Sequence, residues 1–117
     1  MKKLLYFLFG VVITFGATNA NAFTERKTAV MRVMNKAAGK PQTIYAPIGT
    51  PVEFEKISIL VRSCRQSDPF DAENFYAFTE IRKTDGDIIF SNWMNRNNPG
   101  NNPVQNADYD VWVMRCE

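Results

Sequence analysis

The chain contains no histidine. That removes the commonest general base, the commonest metal ligand and every Ser-His or Cys-His nucleophile arrangement. Only two cysteines occur, in no C-x-x-C pattern, and two thiolates without a third ligand cannot complete a tetrahedral zinc shell. No apolar run reaches the length of about eighteen residues that a membrane-spanning helix needs, and no internal repeat is visible. A dominant charge is missing as well. Lys+Arg number 14 against Asp+Glu 12, and without Lys2 and Lys3 the two signs balance. A broad basic face for nucleic acid is therefore not indicated.

What is present begins with an export signature. Lys2 and Lys3 precede a twelve-residue apolar stretch, Leu4 to Phe15, and Ala20-Asn21-Ala22 supplies the small-x-small pattern of a signal-peptidase site. Residues 1–22 are read as a signal peptide cleaved after Ala22, leaving residues 23–117 as one domain of a periplasmic protein with no stable membrane span. In that oxidising compartment the two remaining cysteines, Cys64 and Cys116, read first as a structural disulfide.

Along the mature chain, Phe23 to Lys27 reads as a polar lead-in. Ala29, Met31 and Val33 then alternate as a first strand, and Asn35 to Lys40, with Gly39 available for positive φ, turns into a second strand from Thr43 to Ile48. Pro47 points to an edge position. Val52 and Phe54 fall on even positions whereas Ile57, Ile59 and Val61 fall on odd ones, so a bulge or tight turn belongs near Glu55-Lys56. Arg65 to Asn74 reads as a surface loop. Phe75 to Arg82, apolar on both faces, suits a central strand, and Thr84-Asp85-Gly86-Asp87 is a hairpin turn before Ile88 to Trp93. Asn92 to Asn106 holds seven Asn, two Pro and one Gly in fifteen residues and reads as a long exposed loop. Tyr109 to Met114 is the last strand. No segment shows helical periodicity, so the expected fold is all-β: a small antiparallel β-sandwich or partly closed barrel of six to seven strands with one disulfide.

These segments resemble a family of small exported alphaproteobacterial proteins catalogued as a domain of unknown function. The resemblance runs from about Thr28 to Cys116. It rests on Pro47-Ile48-Gly49 leading into Val52-x-Phe54, on Ile57-x-Ile59-x-Val61-x-x-Cys64, on Phe90-Ser91-x-Trp93-Met94 and on Tyr109-Asp110-Val111-Trp112-Val113-x-x-Cys116. Two departures stand out. Glu55 occupies a position where the family usually carries Gly, and Asn95-Arg96-Asn97-Asn98 replaces a stretch rich in Ser, Ala and Leu. The resemblance implies an exported, disulfide-linked β domain and supplies no activity.

Carboxylates are the acid/base groups that remain, in the close pairs Asp85/Asp87, Asp108/Asp110, Asp71/Glu73 and Glu53/Glu55. None sits in a calcium-loop pattern, turn geometry alone favours Asp beside Gly86, and a domain this small has no room for a deep sugar cleft. The expectation is therefore no enzyme, no metal and no cofactor. Trp112 is assigned to the core, while Trp93, next to the Asn-rich loop, stands between core and contact surface. The reading that follows is a non-enzymatic periplasmic interaction or envelope-assembly module. An alternative is a carbohydrate or peptidoglycan binding module. Candidate contacts for an envelope protein or glycan partner are Trp93, Tyr109, Asn95, Arg96, Asn97 and Asn98.

Overall fold

The computed structural model describes residues 23–117 apart from Pro69 and Asp71. The expected signal peptide, residues 1–22, lies outside the described residues. Eight strands follow one another, β1 (Thr24–Arg26), β2 (Thr28–Asn35), β3 (Lys40–Pro47), β4 (Val52–Phe54), β5 (Ile57–Gln66), β6 (Phe75–Lys83), β7 (Ile88–Asn95) and β8 (Tyr109–Cys116). No helix occurs among the described residues. The strands build two antiparallel sheets packed face to face. Sheet A has the order β1-β5-β6-β7, with β4 also on β5, and sheet B has the order β3-β2-β8. The fold is sandwich-like and not a closed barrel.

The count exceeds the expected six or seven, and two of the eight strands are three-residue segments that share one edge of β5. Thr24 to Arg26 pair with Gln66 to Cys64, and Val52 to Phe54 pair with Ile59 to Ile57. Between them Gly49 N donates to Val61 O at 2.9 Å, so the edge is covered along nearly its whole length. The polar lead-in expected at Phe23 to Lys27 is thus β1. Its side chains are exposed and give no alternation, so its pairing with β5, through the backbone and through contacts such as Arg26 donating to Gln66 Oε1 at 2.7 Å, makes it a strand.

The chain passes from sheet A to sheet B at Lys27 and returns between Pro47 and Val52. These crossings lie side by side, since Ile48 N donates to Lys27 O at 2.9 Å. The opposite seam, between β7 and β8, has no strand pairing. The sandwich is therefore joined along one side and open along the other.

The phase change read at Glu55-Lys56 is a two-residue hairpin turn, with Phe54 opposite Ile57 and Glu55 at φ 52°. Gly39 and Gly86 take positive φ in the other two hairpin turns, where a side chain would meet its own backbone. The core fills from inward positions of both sheets. Met31, Val33, Ile57, Ile59, Val61, Ile81 and Val113 are at most 1% exposed, each contributing about 1.5–3 kcal/mol of apolar burial. Cys64 and Cys116 are bonded, Cα to Cα 5.6 Å, tying β5 of sheet A to the end of β8 in sheet B. Their strand partners Arg26 and Ala29 flank the crossing at Lys27, so the bond clamps the sandwich at the end where the sheets already share backbone.

Candidate functional site

Strand alternation places Tyr76, Phe78 and Glu80 of β6 on the outward face of sheet A, because Phe75, Ala77, Thr79 and Ile81 between them are buried. Register carries the same face onto β7, where Trp93 lies opposite Phe78 and Ser91 opposite Glu80. Arg65 joins from β5 opposite Tyr76, and Phe23 arrives just ahead of β1. These side chains form one patch. The Arg65 guanidinium sits 5.0 Å from the Trp93 ring centroid and 5.9 Å from that of Phe23. Phe23 meets Tyr76 edge to face at 5.4 Å, and Phe78 meets Trp93 likewise at 5.5 Å. Glu25 pairs with Arg65 and accepts from Ser63 Oγ at 3.0 Å. A shallow depression of about 180 Å³ opens between Phe23, Arg65, Tyr76 and Trp93. Further along the face Arg62 pairs with Glu80 at 3.0 Å. The hydrogen bond from Arg62 and the charge behind it hold the Glu80 carboxyl below its ordinary pKa.

The other residues singled out in the sequence lie elsewhere. Tyr109 is not beside Trp93. It is 8% exposed at the start of β8, its ring packs edge to face against Phe54 at 6.1 Å, and its hydroxyl donates to Glu55 Oε1 at 3.3 Å. Asn95, Arg96 and Asn97 are engaged within the protein. Asn74 Nδ2 and Asn97 N both donate to Asn95 Oδ1, at 2.7 and 3.1 Å. Arg96 donates to Glu73 O at 3.0 Å and lies 4.9 Å above the Phe75 ring, and Asn97 Nδ2 donates to Glu73 O at 2.8 Å. These bonds fasten the start of the Asn-rich loop to the loop before β6. Asn98 is exposed.

Two expectations need correction. Asn92 to Asn95 continue β7, so the long loop starts at Arg96, and it is not wholly exposed: Val104 is 6% exposed in the core and Asn102 Nδ2 donates to Trp93 O at 3.1 Å. Trp112 is not a core residue. It alternates with buried Val111 and Val113 on the outward side of sheet B, half-buried opposite Arg32. Strand parity already put its valine neighbours inside, and parity outweighs the tendency of Trp to be buried.

Two further cavities were not foreseen. One of about 360 Å³ occupies the open seam between β7 and β8, lined by Met94, Val104, Val111, Trp112 and Val113 under the loop residues Pro99 to Pro103. The other, about 350 Å³, lies at the end of the sandwich away from the disulfide and is lined by Asn35, Ala37, Glu55, Lys56, Lys83, Asn106, Asp108 and Tyr109. Both arise from residues brought together by sheet packing across long sequence separations, which no local pattern signals.

Among known proteins, a family described as "Uncharacterized protein conserved in bacteria (DUF2155)" matches residues 29–116. The match opens at the first buried residue of β2 and closes on Cys116, so it takes in both sheets and both halves of the disulfide, whereas β1 precedes it. Neither a curated protein nor a solved structure matches the chain.

Proposed function

This chain belongs to that bacterial family, and from that premise we propose a non-enzymatic role: an exported periplasmic domain that holds an envelope protein on the outward face of sheet A. The disulfide and the lack of a helix long and apolar enough to span a membrane among the described residues are compatible with export. A chain without histidine has few means of acid/base or nucleophilic work.

The observation that carries the reading is the Arg65, Trp93, Tyr76 and Phe23 patch. Trp, Tyr and Arg are the side chains that dominate binding energy at protein interfaces, because each offers a large, stiff contact area with a polar tip. Here Arg65 is already paired with Glu25, which Ser63 in turn bonds, so part of its freedom is given up before docking. The same geometry counts against the glycan alternative. A sugar ring stacks on an open indole face, and Arg65 already stands over that of Trp93. The neighbouring rings meet at 71° and 87°, edge to face, and do not form a level platform.

The test is a photo-crosslinking amino acid at Ser91, exposed on the same face, in living cells. A discrete protein adduct is expected, reduced at least tenfold by Trp93→Ala and absent when the probe is moved to Tyr45, 56% exposed on sheet B. Retention of the purified protein on peptidoglycan sacculi, lost in Trp93→Ala, would install the glycan reading instead. Adducts indifferent to Trp93 would remove the patch from the function.

A further inference from the structure

The cleft at the end of the sandwich opposite the disulfide has the makeup of a ligand site. Four segments meet there. The β2–β3 and β4–β5 turns, the end of β6 and the loop before β8 are held together by Thr84 N donating to Lys56 O at 3.0 Å, Lys36 N donating to Asp108 O at 2.8 Å and Lys36 Nζ donating to Asn106 O at 2.6 Å. Glu55 spans the two sheets at this end. Its Oε1 accepts from Asn35 Nδ2 at 2.8 Å and from the Tyr109 hydroxyl at 3.3 Å.

Glu55 is the one non-glycine residue at positive φ among those described. A side chain in that conformation crowds its own backbone, and glycine would remove the strain. Both donors converge on one carboxylate oxygen, which leaves the other free to accept from a ligand. The opposite charge is also available. Lys56 makes no ion pair among the described residues, and Lys83 lies 3.9 Å from Asp85, the outer limit of such a pair.

The mixture of charges narrows the ligand. A simple anion such as phosphate would meet Glu55 and Asp108, and a bare cation would meet the two lysines; the described residues contain no group of three metal-ligating side chains. A sugar would find no stacking surface, because the Tyr109 ring is packed against Phe54. A ligand bearing both signs satisfies both halves. At about 350 Å³ the cleft is near the lower end of small-molecule pockets, the size of an amino acid or dipeptide. We propose that this cleft binds an amino-acid zwitterion, as the free amino acid or a short peptide, with Glu55 accepting from its ammonium group and Lys56 and Lys83 donating to its carboxylate.

The site is separate from the sheet A patch and stands or falls independently of it. The test is an amide-resolved NMR titration of the oxidised mature protein with alanine, alanyl-alanine, N-acetyl-alanyl-alanine, alanyl-alanine amide and inorganic phosphate. Saturable shifts at Ala37, Lys56 and Lys83 are expected with the first or second probe, and which of the two binds tighter separates amino acid from peptide. Removing either ligand charge should weaken binding about tenfold or more, as should Glu55→Gln, which keeps the acceptor for Asn35 but loses the charge. Lys56→Met provides the complementary loss on the carboxylate side. No saturable shift at millimolar zwitterion, equal binding of the N-acetyl and free dipeptides, or unchanged affinity in a folded Glu55→Gln protein would each overturn the assignment.

Discussion

Breaking the Cys64–Cys116 bond should cost this domain a large share of its stability. The bond closes a loop of 52 residues, and on the chain-entropy model such a closure removes about 4 kcal/mol of freedom from the unfolded chain. Domains of this size are stable by only about 5–15 kcal/mol in total. Each kcal/mol moves the midpoint of a domain this small by about 4–8 °C, so reduction should lower Tm by roughly 20 °C. The assay is urea and thermal unfolding of one preparation, oxidised and then reduced, which leaves the sequence unchanged. A second readout separates the mechanism. If the bond acts on the unfolded chain, the oxidised protein exposes less surface on unfolding and shows the smaller dependence on urea. A Cys64→Ala/Cys116→Ala double variant should match the reduced protein to within the packing lost at two buried sites, 0% and 5% exposed. Midpoints that coincide in the two redox states would refute the reasoning, because the seam at Lys27 would then hold the sheets without help.

Other outcomes follow from single contacts. Glu80 is held below its ordinary pKa by Arg62; its contribution is therefore complete above the unfolded value near 4 and is lost as pH falls through the lower folded value. Glu80→Gln should flatten the acid limb of the stability profile below about pH 4, and an unchanged limb would contradict the pairing. Glu55→Gly should unfold within about 1 kcal/mol of the parent, as relieved backbone strain offsets lost hydrogen bonds, whereas Glu55→Val should cost about 2 kcal/mol in a urea titration. Val104→Ala removes roughly two methylene equivalents from the core, about 1.6 kcal/mol, and should accelerate hydrogen exchange across the 96–108 loop more than at β5.

Most of this fold is legible in the residues because one face of each long strand is buried. Ile57-x-Ile59-x-Val61 and Val111-x-Val113 announce their own register, and Gly39 and Gly86 mark turns whose φ only glycine takes easily. Thr24 to Arg26 carries no such mark, since its strand character comes from pairing with β5 and not from an alternation of its own. The sheet A patch and the end cleft are legible only in part. Trp93 stands out by its chemistry, yet Phe23, Arg65 and Tyr76 join it through strand register across separations of 17 to 70 positions. Asn95 and Asn97 read as free amides in the sequence because composition does not reveal that Glu73 and Asn74 bind them. A phase change marks Glu55 in the sequence, whereas its carboxylate partners Asn35 and Tyr109 reach it only through the packing of the two sheets.

Intact-mass measurement of the protein recovered from fractionated bacterial cells bears most directly on an envelope role. A soluble periplasmic species beginning at Phe23 and two hydrogens lighter than its reduced form is the expected result. Full-length chain in the cytoplasmic fraction with both thiols open to alkylation would contradict it.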